Sequence, residues 1–431
     1  MIKEVTKSMM VSEMAENLIG SEIIRIAGEI NDKIKKGEKV NNMTIGDFDP
    51  QVFPIPEELT NFIIEAYKEG HTNYPAANGI IELRKAISSF ILETQGLKYT
   101  PEEILVSGGA RPLIYAIYRT LIDEGDKVIF PVPSWNNNHY CHLSGAEPIF
   151  LETNENNNFM PTAEDIKPYL EEATLITLCS PLNPTGTVFK KEDLMEICEL
   201  VLKENKRRKV LNLGIKPLYV MYDQIYWKLT FGQTEHFDPI SINPELRDYV
   251  IYVDGISKAF AATGVRVGWI FGPQDVIGKL TEIFSHIGAW APKPEQNAVA
   301  EFLSEDLFTH LLHTEFNRGE FMYYSSSICD KFEELKERGY RVDCQRPEGG
   351  IYVSVYFDYS KSFNSSEEFV YHLINNYGLG IVPFEFFGSK ENKGWFRISI
   401  GNVDDDNINN ILDIIENSVI KLHQYVNSMV F

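Results

Sequence analysis

The sequence predicts an α/β protein: a mainly parallel sheet with helices on both faces, joined to a smaller α+β domain. Three features carry that expectation. Short apolar runs recur at 104–106, 128–130, 148–151, 175–178, 218–222 and 250–253, each suited to a strand buried on both faces. Helical stretches such as 193–206 stand between some of them, and that alternation is the pattern of a parallel sheet. The last part of the chain instead places short strands close together, in YRVDCQRPEGGIYVSVYF, LGIVPF and GWFRISIG. An acidic run at 404–406 then precedes a final helix.

Composition bounds what such a fold can do. At 431 residues the chain exceeds one typical core, so a large and a small domain are expected. A formal net charge of −22 argues against nucleic acid or an anionic membrane as partner. Cys141, Cys179, Cys198, Cys329 and Cys344 form no C-x-x-C pair and read as free thiols of a reducing compartment. No basic head with an apolar run opens the chain, and no apolar run is long enough to span a bilayer. The expected location is cytoplasmic.

In chain order, 21–36 carries apolar residues at helical spacing and stops at Gly37. A Gly/Pro/Asp loop follows around Gly46. The polar segment HTNYPAAN, with Tyr74, leads into an amphipathic helix. Ile104–Val106 reads as a strand, Ser107-Gly108-Gly109 as a tight turn, and Arg111 onward as a helix with Pro112 in its first turn. Strand, glycine turn and helix start together make an anion site, because free N–H groups point at the ligand. Polar residues then recur just past the strand ends, where such sheets bind ligands. They are Trp135 in PVPSWNNNHY, Asn183 in SPLNPTG, and Asp223 and Tyr226 in YDQIY. His139 and His142 have a metal-like spacing but no third partner in pattern, so no metal is expected.

The segment 249–272 gathers the chemistry. Two β-rich runs flank a small-residue turn that holds Ser257, Lys258 and Arg266. A poorly solvated lysine loses its proton readily, and the free amine attacks an aldehyde to form an imine. Arg266 offers a planar fork for a phosphate. A cofactor with both an aldehyde and a phosphate is pyridoxal 5′-phosphate. Its ring nitrogen calls for a carboxylate, its phenolate oxygen for amide and phenol donors, and its face for an aromatic ring. In WFRISI, Phe396, Ile398 and Ile400 face one way and Arg397 the other. An arginine in so apolar a strand needs an anion.

Five motifs then make the chain resemble the class I/II aminotransferases, pyridoxal-phosphate enzymes of fold type I. The family's Y-x-x-x-x-G-x-x-x-L-R reads here as YPAANGIIELR (74–84), and its S-x-x-N-P-[TS]-G as SPLNPTG (180–186). Its D-E-x-Y reads as DQIY (223–226), and its S-K-x-F-x-x-[TA]-G-x-R-x-G as SKAFAATGVRVG (257–268). Its F-R-[IL]-S reads as FRISIG (396–401). The resemblance implies a seven-stranded sheet in a large domain, 45–316, and a small domain from 1–44 and 317–431. It implies that Lys258 forms the imine and then shuttles the proton, with Asp223 on the pyridine nitrogen. Asn183 and Tyr226 would contact the phenolic oxygen, and Trp135 would stack on the ring. Arg266, Ser257, Gly108, Gly109 and Ala110 would hold the phosphate, with Tyr74 reaching that of the other subunit in a homodimer. Arg397 would clamp the substrate α-carboxylate beside Asn183 and the backbone of Gly46.

Three positions depart from the family pattern. Gly255 replaces a usual serine, Gln224 replaces a glutamate, an exchange expected to matter little, and Arg111 stands where glutamine is common. Arg111 offsets the missing hydroxyl, contacts substrate, or lies on a helix surface. The expected function is amino transfer between an L-amino acid and a 2-oxo acid by a ping-pong route, with a carbon–sulfur β-lyase as the alternative. A pyridoxal-binding transcription regulator would need a basic head of about 70 residues, and only 1–20 precede the first family-like helix. A dead scaffold is disfavoured by the presence of Lys258, Asp223 and Arg397. For substrate side chains, Arg111 and Lys293 argue for an acid. Trp290, Trp135 and Phe384–Phe387 argue for a neutral or aromatic donor, with 2-oxoglutarate as acceptor, and the expectation leans that way.

Overall fold

The computed structural model describes residues 11–211, 214–305 and 307–428. The first ten residues, part of the opening stretch searched above for a basic head and an apolar run, lie outside them. The central sheet has seven strands: β1 (Ile104–Ser107), β2 (Lys127–Val132), β3 (Glu147–Glu152), β4 (Ala173–Cys179), β5 (Tyr219–Asp223), β6 (Val250–Gly255) and β7 (Gly268–Phe271). Their spatial order is β1-β7-β6-β5-β4-β2-β3. Only β7 runs antiparallel to its neighbours.

Residue alternation explains why both faces are covered. Leu105, Val128, Phe130, Met221, Ile251, Val253 and Ile270 point into one apolar core. Ile104, Val106, Ile129, Ile176, Val220, Tyr222, Tyr252 and Phe271 point into the other. The helix Ala110–Leu121 closes the first face, and the helices Ile81–Gln95 and Lys191–Leu211 close the second. Gly96, at φ +70°, ends the former helix in the left-handed region where glycine carries no Cβ penalty.

A second sheet is antiparallel and four-stranded: β8 (Val342–Gln345), β9 (Tyr352–Phe357), β10 (Val382–Pro383) and β11 (Trp395–Ser399), in the order β10-β11-β9-β8. Its core includes Val353, Val355, Phe396 and Ile398 and also takes Ile26 and Ile30 from the helix Glu22–Lys35. That helix starts on the Ser21 hydroxyl, which accepts from the Ile24 N–H. The thiols depart from expectation: Cys329 and Cys344 are joined as a disulfide, with Cα atoms 5.6 Å apart, while Cys141, Cys179 and Cys198 are free. The long helix Leu307–Glu337 packs on β8 and brings the pair together, a proximity that sequence spacing does not reveal. Among the described residues no helix is long and apolar enough to cross a membrane.

Candidate active site

The carboxyl ends of β4, β5 and β6 open into a cavity of about 630 Å³, walled on its other side by Arg397 and by the helix Glu22–Lys35. Lys258 lies three residues past β6, in a four-residue helical turn, Ile256–Ala259. Burial lowers its pKa to about 8, and Arg397, Arg111 and Arg266 add to the lowering against the opposing effect of Asp47. Its ammonium donates to the carbonyl of Gly46. Gly46 is required there by space, since a Cβ would sit 2.0 Å from the Tyr352 hydroxyl oxygen.

Asp223 ends β5 and lines the cavity. Burial raises its pKa to about 6, and among the described residues only the Ile225 N–H donates to its carboxylate, at 3.1 Å. No cation pairs with it among the described residues. A protonated ring nitrogen is the kind of donor this carboxylate lacks. Arg266 is pinned by the Thr263 carbonyl (2.6 Å) and the Gly108 carbonyl (2.9 Å), and among the described residues no carboxylate pairs with it. Gly109, at φ +96°, lies so close that a Cβ would come within 2.2 Å of the guanidinium. Backbone, arginine and helix start form a cradle open to an anion. An aldehyde-reactive lysine, an unpaired carboxylate and this cradle together fit pyridoxal phosphate.

The remaining expected residues divide. Ala110, Trp135, Asn183, Tyr226, Ser257 and Arg397 all line the cavity. Arg397 is 1% exposed, donates to Asn183 Oδ1 (2.9 Å) and to the Thr44 carbonyl, and keeps a buried Nε without a partner. Tyr74 is not brought in: it is 84% exposed and meets Trp290 edge-on, with ring centroids 5.5 Å apart. Lys293 bonds Asn73 Oδ1 outside the cavity. Phe384 and Phe387 are buried in an apolar cluster packed against Trp135 and do not themselves line the cavity. Arg111 does enter the cavity, with its guanidinium carbon 5.0 Å above the Trp135 ring.

Gly255 now has a reason. It faces Gly268 across the β6–β7 pair, and a Cβ would meet Gly268 Cα at 2.9 Å. A serine there has no room. The sequence reading missed Tyr352, whose hydroxyl lies 2.6 Å from that of Tyr226. It also missed Asp47, whose carboxylate accepts from the Thr263 hydroxyl. The glycine pair Gly349-Gly350 before the strand was the one local signal for Tyr352. His142 is engaged by the Met14 carbonyl (2.7 Å).

Comparison with known proteins places this geometry in a family. The family model "Aminotransferase class I and II" matches residues 38–415. An aspartate aminotransferase of Bacillus subtilis is 27% identical over 97% of this chain and 99% of its own length. A bifunctional aspartate and glutamate/aspartate-prephenate aminotransferase of Petunia hybrida is 30% identical, over 85% of this chain and 75% of its own. Among solved structures, the aspartate aminotransferase from Thermus thermophilus with maleate superposes with a TM-score of 0.84 at 24% identity. The match covers 95% of this chain and 99% of that one, and at that identity it is a likeness of fold.

Proposed function

The chain belongs to the class I and II aminotransferase family, and from that premise we propose that it acts on dicarboxylic substrates, with Arg111 meeting the distal carboxylate. As a pyridoxal 5′-phosphate-dependent aminotransferase, it moves an amino group between an L-amino acid and a 2-oxo acid. The observation that carries the substrate class is Arg111, a cation in the cavity with no carboxylate paired to it among the described residues. Four cations line the cavity (Arg111, Lys258, Arg266, Arg397) against two carboxylates (Asp47, Asp223). A cofactor phosphate and an α-carboxylate account for Arg266 and Arg397, which leaves Arg111 for a third anion. The aromatic groups that favoured a neutral donor, apart from Trp135, lie outside the cavity. The names of the relatives, aspartate aminotransferases, agree with an acid.

The bound cofactor supplies an aldehyde that bonds amines and a cationic ring that draws electrons from the substrate α-carbon. Lys258 Nζ, unprotonated above about pH 8, takes the proton from that carbon and returns it one position along. Asp223 would keep the ring nitrogen protonated. Tyr226 and Asn183 would donate to the phenolic oxygen, and Trp135 would cover the ring face. Arg397 orients the α-carboxylate through its fork. Replacing Arg111 with glutamine is expected to lower kcat/KM for aspartate by about 10²-fold, the cost of leaving the distal carboxylate without its cation. Phenylalanine, methionine and alanine are expected to change by less than about threefold, because they bring no second charge. A wild-type preference for phenylalanine, or an unchanged aspartate value in the variant, refutes the assignment.

Exposed Tyr74 supports a homodimer in which each subunit lends that hydroxyl to its partner's phosphate site. Mixing Tyr74→Phe chains with Lys258→Ala chains is then expected to give hybrids with one native and one doubly altered site. An active monomer in sedimentation counts against it. The two-domain division supports closure over substrate and exclusion of water.

A further inference from the structure

Behind the cavity, on the opposite face of the sheet from Asp223, lies a buried polar cluster that the reaction as described does not use. Asp223 pairs in register with Val253, so the next residues, Gln224 and Asp254, are cross-strand neighbours on the same face. Both are buried, Gln224 at 0% and Asp254 at 1% exposure. Asp254 Oδ1 accepts from the Gly255 N–H (2.7 Å), and Oδ2 accepts from Trp227 Nε1 (2.9 Å) and Gln224 Nε2 (3.5 Å). The Gln224 amide also donates to Gln95 Oε1 (3.0 Å), while its oxygen faces His236 Nε2 at 3.4 Å. Lys228 is the nearby cation.

We propose that Gln224 and Asp254 are a matched positioning pair that ties together the strand ends carrying Asp223 and Lys258. Gln224 directly follows Asp223, and Asp254 bonds the first amide of the turn that leads to Lys258. A slip between the two strands therefore moves the carboxylate and the amine relative to one another. The pairing also gives the exchange at 224 a cause. The family pattern D-E-x-Y carries a carboxylate where this chain has an amide, and beside buried Asp254 a second carboxylate would repel the first or force it to hold a proton. Here Gln224 and Asp254 need each other.

The test is a double-mutant cycle on the holoenzyme with Gln224→Glu, Asp254→Asn and both together. Gln224→Glu is expected to lower kcat by about tenfold with KM little changed, and to weaken cofactor binding by a similar factor. Adding Asp254→Asn restores both to within about threefold, since one carboxyl and one amide again share the site. A neutral Gln224→Glu, or losses in the double variant that equal or exceed the sum, overturns the proposal. If Gln224→Glu does not accumulate as folded protein, Asp254→Asn alone decides. It is expected to lower kcat rather than raise KM, and to lower the pH midpoint of the holoenzyme's visible absorption, because the negative charge that buried Asp254 carries above about pH 7 is gone from behind the lysine turn. An unmoved midpoint with unchanged kcat overturns the proposal. The inference rests on the roles given to Lys258 and Asp223. Those are tested separately by Lys258→Ala, so a failure of the pair leaves them standing.

Discussion

Replacing Lys258 with alanine is expected to abolish turnover, by at least about 10⁴-fold, because one side chain supplies both the covalent anchor and the proton carrier. The cavity walls and the arginine cradle stay, so cofactor binding is expected to weaken without vanishing. The measurement is the change in visible absorption when an L-amino acid is mixed with the loaded enzyme. An unchanged conversion in the variant would sink the assignment of Lys258. The pH dependence supplies a second check. Burial places the amine near a pKa of about 8, and only the neutral amine bonds an aldehyde. The rate at which cofactor-free protein takes up pyridoxal phosphate should therefore rise about tenfold per pH unit below that value and flatten above it. A flat profile from pH 6 to 9 points to a different nucleophile.

The second large effect is expected at Arg397. Its side chain is 1% exposed, and among the described residues its hydrogen-bond partners are neutral oxygens, Asn183 Oδ1 and the Thr44 carbonyl. The rings of Tyr352 and Phe387 lie 4.5 and 4.8 Å away. A charge so placed awaits an anion, and the substrate α-carboxylate is the one every amino donor and 2-oxo acceptor shares. Arg397→Leu is expected to cost about 3–4 kcal/mol of transition-state binding, roughly 10²- to 10³-fold in kcat/KM, for every substrate tested. Cofactor affinity should hold, since Arg266 and not Arg397 sits in the phosphate cradle. Arg397→Lys keeps the charge and loses the fork, so an intermediate loss is expected. A loss confined to acidic substrates would instead move Arg397 to the distal carboxylate and free Arg111.

Much of the site could be read along the chain because its residues sit at strand ends, where short motifs repeat a local geometry. Asp223 closes one apolar run, Lys258 follows another, and Asn183 lies between two prolines. Each turn carries its own polar residue to the same edge of the sheet, so the motifs converge without any long-range information. Continuous apolar runs likewise marked the strands buried on both faces, and alternation along 395–400 told which way Arg397 points. Tyr352 was not legible. It reaches Tyr226 across 126 residues, and a tyrosine in a strand has no signature apart from its neighbours.

The sequence by itself determined the layered α/β class, the identity of the cofactor chemistry and the order of its motifs, because periodicity and turn residues act over a few positions. Only the tertiary structure decided which cation enters the cavity, Arg111 rather than Lys293. Only it showed that Gly255 is kept small by Gly268, that Cys329 meets Cys344, and that Gln224 answers Asp254. Each of these is a contact between segments whose adjacency follows from strand order, β7 between β1 and β6, and from helices folding back on sheets. Strand order is set by how whole apolar faces pack, and no local pattern encodes it.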